Sequence, residues 1–209
     1  DYTQHVVKEA YSRMGIEFSV KIIKRGYYPK GNGEVRLEVY PSKIKSLTLS
    51  KRETNNLKLK CTFSKISIDV IKEKIEMIKE KISKANFNVE IEIKEEEAID
   101  SGASLLIYSI DKNSIIGIDG LFDNKKQNFD LDFEKFNNSL GVDESLADML
   151  VVPASLVINK TVFKVKEITE HLETNLFVTT KITGCKYGIG KTSEGFEVII
   201  QGVSNSSIK

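Results

Sequence analysis

The chain has 209 residues, 31 Lys and Arg against 30 Asp and Glu, 40% hydrophobic residues, two Cys and no Trp. This length buries a real core in one large or two modest domains, and a net charge of +1 excludes a protein that coats polyanions by bulk charge. Abundant Ile, Val and Leu exclude a disordered chain, no apolar run reaches the roughly 18 residues of a membrane span, and Cys61 and Cys185 are too few for a disulfide framework or a zinc site, so a reducing, cytoplasmic setting is expected.

Residues 1–15 place Val6, Val7, Ala10, Tyr11 and Met14 at helical spacing, with Gly15 at the position that usually follows a helix. Ile16–Lys24 alternates loosely and predicts a strand. The stretch from Arg25 to Gly33 packs three glycines and one proline into a turn, in which Asn32-Gly33 suits a left-handed two-residue geometry. Val35, Leu37 and Val39 then alternate as the returning strand, which completes an α-β-β unit. From Ser42 to Ser67 the sequence is basic, with a strand expected over Leu57, Leu59, Cys61 and Phe63. Ile68–Ala85 carries Val70, Ile71, Ile75, Ile78 and Ile82 on one stripe and predicts the clearest helix. Strands follow over Phe87–Ile93, Ser104–Ile110 and Ile115–Ile118.

Asp123–Asn128 reads as a linker, after which Leu131, Phe133 and Phe136 suggest a short helix. Val142–Val157 predicts a buried helix ended or kinked at Pro153. Thr161–Ile168 predicts a strand. Residues 169–183 are ambiguous, because Leu172, Leu176 and Ile182 have helical spacing while Val178, Thr179 and Thr180 favour a strand. Cys185–Ile189 and Phe196–Gln201 predict a hairpin, so the end of the chain repeats the opening pattern in structure, though not in sequence. The expected class is mixed α/β (α+β) with repeated β-α-β-β units. Residues 1–42 and 125–209 would form one larger domain, and 43–124 a smaller inserted α/β domain.

Gly188-Ile-Gly-Lys-Thr192 resembles the end of a phosphate loop. Cys185 stands at the first glycine position, however, and a strand follows where a phosphate-binding helix would be required. The segment is expected to be a plain hairpin. His5 is expected on an exposed helix face. His171 lies in Thr169-Glu-His-Leu-Glu-Thr-Asn175, at a strand-to-helix junction; the positive end of a helix disfavours a cationic side chain there, which suits a nucleophile or base, although a surface role is the simpler reading. Asp148 opens a strongly apolar helical run, where a carboxylate needs a partner or a ligand. Glu95, Glu96, Glu97 and Asp100 are expected to form a solvated acidic edge. The basic segments 21–36 and 43–65 could follow a phosphate backbone, with Tyr27 and Tyr28 to stack bases, but a solvated lysine face explains 43–65 equally well.

Three segments together resemble the RNA 3′-terminal phosphate cyclase family. Arg25-Gly-Tyr-Tyr-Pro-Lys-Gly-Asn-Gly-Glu-Val35 is similar to the family's Arg-Gly-Tyr-Tyr-Pro-Lys-Gly-Gly-Gly-Glu-Val signature, with Asn32 for the middle glycine. Val142-Asp-Glu-Ser-Leu-Ala-Asp-Met-Leu150 resembles its Val-Asp-Glu-aromatic-Leu-Ala-Asp-Gln-Leu helix, and His171-Leu-Glu-Thr-Asn175 resembles its His-x-x-Thr-Asn segment. Their order and spacing agree, and Ser101–Tyr108 also looks like a family strand.

The resemblance implies a large domain of repeated α/β units, similar to half of EPSP synthase, with a smaller domain inserted. It implies ATP as cofactor, a divalent ion (Mg²⁺ or Mn²⁺), and an RNA with a 3′-terminal phosphate as substrate, converted to a 2′,3′-cyclic phosphodiester through a covalent histidine–AMP. By motif position His171 would be the nucleophile, and Ser145, Leu146, Ala147, Asp148 and Met149 would line the adenosine pocket. No position is assigned to the metal. Ser145 stands where the family often has an aromatic ring, and Met149 where it has Gln. The rival expectation is a non-catalytic RNA-binding branch that acts in ribosome assembly; retention of His171 argues against it. Because the chain opens at Asp1, with residues that read as mid-helix, it is expected to be a fragment of a longer protein.

Overall fold

In the computed structural model, which describes residues 1–203, the chain opens with one continuous helix. A π-helical turn, Thr3–Val7, runs directly into α1, Lys8–Arg13. Its end is a Schellman motif: Gly15, at φ +75°, donates to the Ser12 carbonyl (2.9 Å), and Ile16 donates to that of Tyr11 (2.8 Å). β1 (Phe18–Lys24) and β2 (Glu34–Val39) follow as an antiparallel pair. The turn between them differs from the expectation. Gly31 and Asn32, not Asn32 and Gly33, take the left-handed conformation, and the whole of 25–33 is a nine-residue loop closed by the Gly31 amide on the Tyr27 carbonyl (2.8 Å). A short strand, β3 (Thr48–Leu49), then leads into the middle of the chain.

β4 (Asn56–Ser64), α2 (Ile68–Lys84) and β5 (Asn88–Glu95) form a parallel crossover unit. Antiparallel strands β6 (Gly102–Ile110), β7 (Ile115–Asp123) and β8 (Asn128–Phe129) complete a five-stranded sheet in the order β5-β4-β6-β7-β8. The Ser67 side chain caps α2 at the Asp69 amide, and Ile71, Ile75, Ile78 and Ile82 bury the expected stripe against one face of the sheet. The short helix α3 (Phe133–Asn138), capped by Asp132, adds Phe133 and Phe136 to the same core. Here Arg52 departs from the expected solvated basic face. Its guanidinium lies 4.5 Å from the centre of the Phe87 ring and 5.1 Å from that of Phe136, and it donates to the carbonyls of Phe136 and Asn137.

α4 (Glu144–Ser155) and α5 (Glu170–Thr183) pack on each other and on a four-stranded sheet, β10-β11-β9-β3, built from β9 (Lys160–Val165), β10 (Lys186–Lys191), β11 (Phe196–Gln201) and the early strand β3. The ambiguous segment 169–183 is therefore a helix. Thr169 caps it by accepting from the Leu172 amide (3.1 Å), and a buried face of Leu172, Leu176 and Thr179 outweighs the β-branched run. Helix α5 followed by the hairpin β10–β11 repeats the order of α1, β1 and β2. The Gly188–Thr192 segment lies in β10 and its turn, with a strand after it.

Two apolar cores result. One joins the N-terminal helix, β3, α4, α5 and the four-stranded sheet; the other lies between the five-stranded sheet, α2 and α3. Apolar residues on the far side of the expected boundaries at 43 and 124 join the opposite core: Leu47 and Leu49 belong to the first, and Phe129, Phe133 and Phe136 to the second. Strand β6 serves both, sending Leu105 and Ile107 to the second core and Leu106 and Tyr108 to the first. No described helix is long and apolar enough to cross a membrane.

Candidate active site on helices α4 and α5

Helix α4 is fixed at its first residue. Asp143 caps it: one carboxylate oxygen accepts from the Leu146 amide (2.9 Å) and from the Tyr2 hydroxyl (2.6 Å), and the other accepts from the Gly117 amide of β7 (2.8 Å). Burial pushes the Asp143 carboxyl up to about 6, although the Tyr2, Leu146 and Gly117 donors oppose that shift. The helix then alternates. Leu146 and Ala147 are 0% exposed in the core, Ser145 and Met149 face outward, and Asp148 is half-buried. Of the five residues expected to line a nucleotide pocket, three therefore reach the surface, while Leu146 and Ala147 hold the helix in place from beneath.

Asn175 of α5 ties the two helices together. Its side-chain amide donates to the Asp148 carbonyl and to the Asp148 carboxylate, both at 3.0 Å, and its own carbonyl oxygen accepts from the Thr179 hydroxyl (3.1 Å). Asp148 thus has the partner that its position demanded, and its other carboxylate oxygen has no protein donor among the described residues. His171 lies one turn before Asn175, so helical periodicity puts both on one face of α5. It falls in the first turn, as expected, with its side chain exposed. Tyr11 joins from α1, donating to the Met149 carbonyl (3.0 Å). The sequence motifs alone give neither Asn175 nor Asp143 a role. A short polar residue just before an apolar helical run is a cap signal, which would have found Asp143.

The other candidates fall elsewhere. His5 is not the surface residue expected: it is half-buried and stacked on Tyr108, with ring centres 5.2 Å apart and planes 16° apart. Burial first, and Lys60 next, hold its imidazole below the usual histidine range. The acidic stretch is not merely solvated. Glu96 binds Arg25 (2.7 Å) and Lys94, and Asp100 accepts from the Lys30 amide (2.9 Å). Arg25 also forms a two-pronged pair with Asp1 (2.6 and 2.7 Å), so the 25–33 loop is firmly placed while Tyr28 at its tip is 91% exposed. Lys58 and Lys60 pair with Glu90 and Glu92, leaving no continuous basic track on this sheet face. Among the described residues no group of three or more His, Cys, Asp or Glu side chains is placed to hold a metal ion.

The family model for RNA 3′-terminal phosphate cyclase matches residues 1–189. The chain belongs to this family. Among its cyclase relatives, a protein of Methanosarcina barkeri named RNA 3′-terminal phosphate cyclase is 30% identical over 204 residues, covering 96% of this chain and 61% of the relative. Cyclases of the same name from Methanococcoides burtonii and Methanothermobacter thermautotrophicus are 28% and 24% identical, covering 61% and 58% of their own lengths. The chain thus spans about three fifths of the curated cyclases it matches.

Proposed function

We propose that this chain carries the nucleophile and part of the nucleotide-binding surface of an ATP-dependent RNA 3′-terminal phosphate cyclase. A ring nitrogen of His171 attacks the α-phosphorus of ATP, a phosphorus–nitrogen bond forms, and the bond to pyrophosphate breaks. The AMP then passes to the RNA 3′-phosphate, and the neighbouring 2′-hydroxyl displaces AMP to close the 2′,3′-cyclic phosphodiester. Each step is an in-line displacement, in which fixed position counts for most. The observation that carries this reading is the α4–α5 seam. An exposed histidine in the first turn of α5 shares a face with Asn175, which grips the Asp148 carboxylate of α4 and leaves its second oxygen without a protein donor among the described residues.

The residues fit a nucleoside in outline. The spare carboxylate oxygen of Asp148 can accept from an exocyclic amine, the exposed Met149 thioether can pack on a ring face, and Ser145 offers a hydroxyl where a ring would have stacked.

The test is incubation of this chain with ATP labelled at the α-phosphate and Mg²⁺ or Mn²⁺, with the Methanosarcina barkeri cyclase as positive control. Covalent label that survives base, is lost in acid and vanishes in a folded His171→Ala variant is the expected result. Undiminished label in that variant would sink the assignment. Label on the control alone would show that three fifths of a cyclase does not deliver ATP to His171.

A further inference from the structure

A cleft of about 860 Å³ opens between the N-terminal helix and the sheet face opposite α2. Neither His171 nor Asp148 nor Asn175 lines it, so it stands apart from the proposed adenylyl transfer. Its size is that of a nucleotide-scale site. One wall carries His5 and Lys8; the other carries Asn56, Lys58, Asn88 and Tyr108.

The chemistry of these walls is specific. His5 lies almost flat on Tyr108, which gives the cleft a planar aromatic surface held in one orientation from both sides. The π-helical turn that carries His5 is a local departure from α-helical winding, a feature often found where a helix serves a site. The two asparagines touch through a single long bond of 3.3 Å, so their remaining amide donors and acceptors can read the edge of a heterocycle. Lys58 meets Glu90 only at 3.6 Å, with both side chains more than half exposed, so its ammonium can turn to an anion at little loss. With Lys8 against Glu9 and Lys58 against Glu90, the lining is close to neutral overall, which suits one phosphate rather than a polyphosphate chain.

We infer that this cleft binds a nucleobase together with its phosphate, the base stacked against the His5–Tyr108 pair, its edge met by Asn56 and Asn88, and the phosphate by Lys58 or Lys8. The base could belong to an unpaired nucleotide of an RNA strand or to a free mononucleotide; the chemistry of recognition is the same.

The test uses three fluorescent or control probes without a 3′-phosphate: 2-aminopurine ribonucleoside monophosphate, a hexaribonucleotide carrying one 2-aminopurine, and the same strand abasic at that position. Quenching of the first two, with the abasic strand bound at least about tenfold more weakly, is expected from the loss of one stacked base. His5→Ala should weaken both by about tenfold and His5→Phe should restore much of it, which separates stacking from damage to the helix. Lys58→Ala should weaken 2-aminopurine ribonucleoside monophosphate but not 2-aminopurine riboside, titrated beside it without its phosphate. A hexamer that binds far more tightly than the mononucleotide assigns the cleft to an RNA strand, and equal binding assigns it to the free nucleotide. The inference is overturned if neither probe is quenched, if the abasic strand binds as well, or if folded His5→Ala binds unchanged. His171→Ala should leave every one of these titrations intact, so failure here and failure of adenylyl transfer are read separately.

Discussion

The hydroxyl of Tyr2 donates a 2.6 Å hydrogen bond to Asp143, 141 residues away, inside the protein. The carboxylate at the far end of that bond also caps α4 and holds the Gly117 amide of β7, so one buried group fastens the N-terminal helix, the five-stranded sheet and the helix of the proposed site.

That arrangement makes stability depend on pH. Burial holds the folded Asp143 carboxyl at about 6, above its ordinary 3.8. A raised carboxyl favours folding most below pH 3.8, and the benefit is withdrawn as pH rises through about 6. The Tyr2 bond favours the ionised form, so Tyr2→Phe should cost about 1.5–3 kcal/mol at pH 7.5, the range for a hydrogen bond to a charged group, and clearly less at pH 4.5. Urea denaturation at the two pH values checks this. An equal loss at both would show that the carboxyl does not titrate between them.

Asn175→Ala removes both 3.0 Å bonds to Asp148 and should loosen the α4–α5 seam by about 1–3 kcal/mol. Thr179→Val, which removes only the bond behind it, should cost less. If the seam orients Asp148 for a nucleotide, Asn175→Ala also weakens ATP in calorimetry while Thr179→Val leaves it within a few fold.

Arg25→Ala should cost about 3 kcal/mol, because it leaves the partly buried Asp1 carboxylate without its cation, whereas Glu96 keeps Lys94. Arg25→Lys should recover only part of this, since an ammonium cannot match the two-pronged contact with Asp1. A double-mutant cycle with Asp1→Ala measures the pair itself; a coupling near zero would show that the loop is held by its other bonds.

Two glycines should respond in opposite ways to alanine. At Gly15 the backbone is left-handed and a Cβ would lie 2.6 Å from the Lys43 carbonyl oxygen, so Gly15→Ala should lower Tm by several degrees. At Gly188 a Cβ meets nothing within 4 Å, and Gly188→Ala should leave Tm and ATP affinity where they were. Loss of ATP binding there would revive the phosphate-loop reading of that hairpin.

Much of this could be seen in the sequence, because the elements that were legible declare themselves locally. The α2 stripe of four isoleucines, the Gly15 stop, and a strand where a phosphate loop needs a helix all depend on neighbours within a few residues. What could not be seen depends on distance. Nothing near Asn175 says that it meets Asp148, and nothing near His5 says that Tyr108 lies beneath it. Arg52 looked like one more basic residue on a wet face, and only the fold brings Phe87 and Phe136 under its guanidinium. The cores draw on residues across the expected boundaries at 43 and 124 for a related reason. Chain order placed Leu49 in one unit, whereas strand pairing beside β9 places it in the other.

Strand β6 has apolar side chains pressed into a core on each face, so water cannot police its alignment. A slip by one residue would exchange Leu105 and Ile107 for Leu106 and Tyr108, oil for oil, and hydropathy would scarcely object. Size must do the choosing instead. At the head of the strand a Cβ on Gly102 would lie 2.3 Å from the Tyr27 ring, and across on β7 a Cβ on Gly117 would lie 2.5 Å from Val6. Only one alignment brings the absent side chains to those two places, and the strand is keyed by its gaps.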